Sequence, residues 1–129
     1  MPQDQSSGAA GNEFGRETAK KLAAALGATL TKLGSNEARW SGKLVALKSA
    51  APSTNSIGVT YLMLNRVDEV IAALQRDDGA FDIYSLSSAA FRSAMKPTRS
   101  KGPSSGRVGI VRRSVFETDG QSLGVKKLG

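Results

Sequence analysis

Residues 35–49, SNEARWSGKLVALKS, constrain the fold more than any other part of the chain. Ser41-Gly42 is a glycine-containing pair between two strand-like runs, the mark of a two-residue β-hairpin turn. With the turn there, Trp40 pairs with Lys43, Arg39 with Leu44, Ala38 with Val45 and Glu37 with Ala46. Side chains alternate across a strand, so Lys48 falls on the face of Ala46, diagonal to Glu37. Opposed Cβ atoms stand about 5 Å apart and diagonal neighbours roughly 7–8 Å. A carboxylate and an amine are therefore expected on one face with only a methyl group between them, a gap that can hold an ion.

Composition removes most other chemistries. The chain has 129 residues, enough for one real core, with no histidine and no cysteine. Ser-His and Cys-His nucleophilic catalysis, zinc sites of the usual N/S type, haem ligation and disulfides are excluded. Carboxylate-metal or lysine chemistry is what remains. The absence of cysteine fits a cytoplasmic setting. No apolar run approaches the roughly 20 residues of a membrane span, and MPQDQSSGAAGNE lacks the basic-then-apolar order of a signal peptide. The expectation is a soluble intracellular protein with no membrane partner.

The charge is uneven. Of a net +7, residues 96–129 carry +6, from eight Lys/Arg against Glu117 and Asp119. Such a segment suits a polyanion, and nucleic acid is the natural partner; the plainer reading is a tail that keeps the protein in solution. Lys96, Arg99, Lys101, Arg107, Arg112 and Arg113 are the candidate contacts, since guanidinium forks can donate two bonds to one phosphate. Pro97, Gly102, Pro103 and Gly106 make residues 96–106 adaptable.

Along the chain, residues 1–11 are rich in Gly, Ser and Gln and are expected to be a disordered tail. A helix opens at Asn12 or Gly15 and runs to about Leu26, with Phe14, Thr18, Leu22 and Leu26 spaced at fours, Ala19 and Ala23 beside them and Gly27 as the stop. Residues 28–33 read as a strand, followed by the hairpin. AAPSTNSIG is a loop by composition, and 58–67 a short helix. The continuous apolar run 70–74 reads as a strand buried on both faces. Arg76-Asp77-Asp78-Gly79 is a turn, 81–86 a strand, and Ser87 caps a helix to about Met95. Residues 96–106 are a linker and 107–116 a strand. The fold class is α/β or α+β: a central mixed sheet of about five strands flanked by helices, in the order α-β-β-β-α-β-β-α plus a C-terminal strand. The core spans 12–95, followed by a basic C-terminal segment, 96–129.

The succession α-β-β-β-α-β, with an acid in the second strand and a lysine near the end of the third, resembles the PD-(D/E)XK nuclease superfamily, the restriction-endonuclease-like fold, over roughly residues 12–86. In that family one acid precedes a second, the second stands two before a lysine, and a glutamate of the first helix often joins the metal shell. Glu37 falls where the first acid would be, Lys48 where the lysine would be, and Glu17 where the helix glutamate would be. The second acid is replaced by Ala46. The resemblance implies a catalytic set of Glu37, Lys48 and Glu17. It also implies Mg²⁺ or Mn²⁺ held by Glu37, the Leu47 carbonyl and Glu17, to activate water and stabilise charge on a phosphodiester. Nucleases of this size often pair, so a homodimer is expected, with Leu62, Met63 and Leu64 contributing if exposed.

Each residue also has a plain structural reading. Lys48 suits a strand-end lysine whose stem covers apolar neighbours. Glu37 suits a surface partner for Arg39 or Lys48, in a pair worth about 0–1 kcal/mol. Glu17 suits an exposed helix residue facing Lys21, and Trp40 suits the core. Two functions follow: a small metal-dependent DNA endonuclease, or a catalytically silent DNA- or RNA-binding or interaction module on the same scaffold.

Overall fold

The structure, a computed structural model, describes residues 5–31, 36–97 and 108–128. Its elements are α1 (Gln5–Leu26), β1 (Thr29–Leu30), β2 (Glu37–Trp40), β3 (Lys43–Ala50), β4 (Ser56–Thr60), α2 (Tyr61–Arg66), β5 (Glu69–Gln75), β6 (Phe81–Ser87), α3 (Ser88–Ala94), β7 (Lys96–Pro97), β8 (Val108–Arg112), α4 (Arg113–Asp119) and β9 (Gln121–Lys126). The architecture is α+β. A six-stranded mixed sheet is ordered β1-β2-β3-β5-β6-β9, and a three-stranded sheet is ordered β4-β8-β7. Among the described strands β3 and β5 run parallel, and the other neighbours are antiparallel.

The hairpin has the expected register, Trp40 with Lys43 through Glu37 with Ala46. Ser41 and Gly42 both carry positive φ, 54° and 77°. That is the backbone of a type I′ turn, whose twist matches the strands it joins.

Period-two alternation along β3 and β5 splits their side chains between two cores. Val45, Leu47, Ile71 and Ala73 pack with Ala19, Leu22 and Ala23 of α1. Ala46, Ala50, Val70, Ala72 and Leu74 pack on the other face with Leu64 of α2, Phe91 of α3, Phe116 of α4, and Ile57, Val59 and Val111 of the smaller sheet. Both faces are covered, which is why the run 70–74 is apolar without interruption. Gly27, at φ 74°, ends α1 as expected, and the Trp40 indole N–H donates to the Leu26 carbonyl from a half-buried position in the α1 core.

Several elements differ from the sequence reading. α1 begins at Gln5, inside the segment expected to be a disordered tail. β4 occupies residues read as loop, because Ser56-Ile57-Gly58-Val59-Thr60 alternates outward and inward against β8. Helix α2 starts after Thr60, whose hydroxyl accepts the Met63 N–H, and not at Gly58. The predicted strand 107–116 ends at Arg112, and α4 follows it. Residues 121–126 form a sixth strand on the edge of the main sheet, so the chain beyond 107 is built into both sheets. Of the three hydrophobic residues considered for a dimer contact, Leu64 is buried, Met63 half-buried and Leu62 exposed. Among the described residues no helix is long and apolar enough to cross a membrane.

Candidate functional site

The β2–β3 register places Glu37 and Lys48 on the same face of the six-stranded sheet, flanking Ala46. Lys48 is half-buried, with Ala72 beside it on β5 and Tyr84 one strand further on β6. Burial pushes its pKa below the usual lysine range, and no carboxylate offsets the desolvation. Among the described residues it makes neither a hydrogen bond nor an ion pair.

Glu37, whose side chain is 15 % exposed, meets a partner the sequence reading did not name. Arg66, the last residue of α2, donates to its Oε1 from Nη2 at 2.8 Å and from Nε at 3.1 Å. Helix α2 lies on this face because Leu64 must be buried in its core. The signal for Arg66 was available. Strand-helix-strand crossovers between parallel strands are right-handed, so once β3 and β5 are taken as parallel neighbours the face that receives α2, with a basic residue in its last turn, is fixed.

The remaining candidates are dispersed. Glu17 is exposed on α1, which covers the opposite face of the sheet, and pairs with Lys20 at 3.7 Å. Its carboxylate borders a shallow cleft with Gln75, Asp78 and Phe81, and the sheet separates it from Glu37. The Leu47 side chain is buried against α1, and its N–H donates to the Asn36 carbonyl at 2.7 Å. Arg113 is occupied: Nη1 donates to the carbonyls of Ala51, Pro52 and Thr54, and Nη2 to that of Gln75. Lys96 and Arg112 are exposed on the smaller sheet. Arg99, Lys101 and Arg107 lie outside the described residues.

A magnesium ion asks for six oxygens at about 2.0–2.1 Å, commonly one or two carboxylates with waters and substrate phosphate. Here Ala46 offers no donor, Glu17 stands across the sheet, and Glu37 already accepts from Arg66. Among the described residues no three acidic side chains converge on one point. The donor set does not fit a resident metal. What this part of the face does present is Lys48, unpartnered among the described residues, and Arg66, held by a carboxylate.

A second polar cluster lies on the α1 side of the sheet. Lys43 Nζ meets Glu69 Oε2 at 2.6 Å, and the buried Ser85 hydroxyl donates to Oε1 at 2.7 Å. Burial raises the Glu69 pKa, but the bonds from Lys43 and Ser85 together outweigh it and hold the carboxyl below its usual range. No family model matches this chain, and no curated protein matches its sequence.

Proposed function

We propose that this chain is a nucleic-acid-binding protein that holds the phosphate backbone of DNA over the sheet face carrying Lys48 and Arg66, on a scaffold of the restriction-endonuclease-like type. The observation that carries the reading is Lys48: a half-buried ammonium with no acidic partner among the described residues costs folding energy, and an arriving phosphate offsets that cost. Arg66 is exposed and oriented by Glu37. That leaves the rest of its guanidinium edge for a phosphate oxygen. Glu37 is on this reading a positioning residue. The net charge of +7 supports the same partner.

The second reading is a Mg²⁺- or Mn²⁺-dependent endonuclease, acting as a homodimer. It is favoured by the register that sets Glu37 and Lys48 on either side of Ala46, and it requires Glu37 to leave Arg66. Supercoiled plasmid incubated with either ion, alongside gel retention of the same DNA, separates the two. Retention without nicking, lost in Lys48→Ala and Arg66→Ala, supports the binder. Nicking lost in both Lys48→Ala and Glu37→Ala supports the enzyme. Neither retention nor nicking refutes both.

A further inference from the structure

We infer that the outer face of the three-stranded sheet carries a second site, distinct from the Lys48 face, that takes the phosphate of a nucleotide. Register puts Lys96 of β7 opposite Ile110 of β8, and Arg112 two residues beyond Ile110. Both cationic side chains therefore share the face of Ile110, as diagonal neighbours with Cβ atoms roughly 7–8 Å apart. One phosphate between them is within reach of both. Val111, of opposite parity, points inward with Ile57 and Val59, which turns the Ile110 face away from the main sheet.

That face opens into a cleft of about 730 Å³, within the roughly 300–1,000 Å³ of small-molecule sites. Lys96 and Arg112 line it with the amide of Asn55 and the hydroxyls of Ser56 and Ser114, over an apolar floor that includes Ile110. No carboxylate is among the described lining residues. Among the described residues neither Lys96 nor Arg112 makes a hydrogen bond or ion pair. The neighbouring Arg113 guanidinium is turned to the carbonyls of Ala51, Pro52, Thr54 and Gln75, so it braces the wall and does not compete for the ligand. Two free cations, neutral hydrogen-bonding groups and an apolar floor form the complement of an anionic phosphate joined to a flat, weakly polar body. That is the chemistry of a nucleotide, supplied free or as part of a strand.

The test is a titration of the ¹⁵N-labelled full chain with inorganic phosphate, a nucleoside 5′-monophosphate and a short single-stranded oligonucleotide. The backbone amides of Ser56, Ile110 and Ser114 are followed in wild type, Lys96→Ala and Arg112→Ala. Both side chains are exposed, and Arg112 caps α4 without a side-chain hydrogen bond, so both variants keep the fold. The monophosphate is expected to shift the three amides, more tightly than inorganic phosphate, with about a tenfold loss of affinity in each variant, the size of one charge-assisted bond. Shifts from the oligonucleotide that exceed those of the monophosphate assign the ligand to a strand; the reverse assigns it to a free nucleotide. No shift at these amides with any probe, or wild-type affinity in both variants, overturns the inference. Lys48→Ala and Arg66→Ala serve as controls. Cleft shifts that persist in them keep this site even if the Lys48 face fails to bind DNA, and loss of the shifts there overturns its independence.

Discussion

Lys48 joins a stability cost to a function. Its folded pKa lies below the ordinary value of 10.5 because burial penalises the ammonium. Between those two values the unfolded chain binds more protons than the folded one, so this residue makes stability rise with pH across that interval, and at neutral pH it is a net burden. Lys48→Met keeps the stem and removes the charge. We expect the variant to melt about 4 °C higher, for ~1 kcal/mol gained, and to lose DNA retention, as calorimetry and gel shift would show. A lower melting point would mean that the ammonium has a stabilising partner. Glu69 has the opposite sense. Its depressed pKa supplies stability that is present above the ordinary carboxylate range and lost as pH falls through the folded value. Removing the hydrogen bond and charge of Lys43 with Lys43→Met should move the acid-unfolding midpoint to higher pH; an unchanged midpoint would show that Ser85 alone holds the carboxylate.

The hairpin was readable from the sequence because a two-residue turn fixes register, and register fixes faces. The helix stop at Gly27, the turn at Gly79 and the Ser87 cap, whose hydroxyl accepts the Ala90 N–H at 3.1 Å, were readable for the same local reasons. β4 was not, because Ser, Asn and Gly around Ile57 and Val59 carry a loop composition that masks the alternation. Nor was α4, whose first residues fall inside the expected strand 107–116, although that strand ends at Arg112. Long-range contacts settle these elements. Arg113 ties the first turn of α4 to the loop after β3 and to the end of β5, and Arg113→Ala should lower stability by about 2–3 kcal/mol in urea denaturation while leaving DNA affinity of the folded protein unchanged. At Gly120 an added Cβ would lie 2.5 Å from the Phe116 carbonyl oxygen and 3.0 Å from that of Ser85. Its φ of −84° suits any residue, so glycine is required here for space alone. Gly120→Ala should cost about 1–3 kcal/mol, as overpacking does, and detach β9 first, seen as faster amide exchange in residues 121–126; a wild-type melting curve would refute the close approach.

The molecule as a whole separates structure from charge. One face of the main sheet is sealed by α1. The other carries three short helices, the smaller sheet and the Glu37, Lys48 and Arg66 group. Of the proposed site, the sequence revealed the pair that hairpin geometry brings together and missed the residue that chain crossover brings to it. It also grouped Glu17 with that pair, although helix and hairpin partner lie across a sheet from one another. The central claim is that Lys48 and Arg66 neutralise DNA phosphates. Its most direct measurement is the dependence of DNA affinity on salt, for wild type and for Lys48→Ala/Arg66→Ala. Each phosphate contact contributes about 0.9 to the negative log-log slope on duplex DNA, so the double variant should bind more weakly and with a slope shallower by roughly 1.8. The same affinity and the same slope in both proteins would contradict the claim.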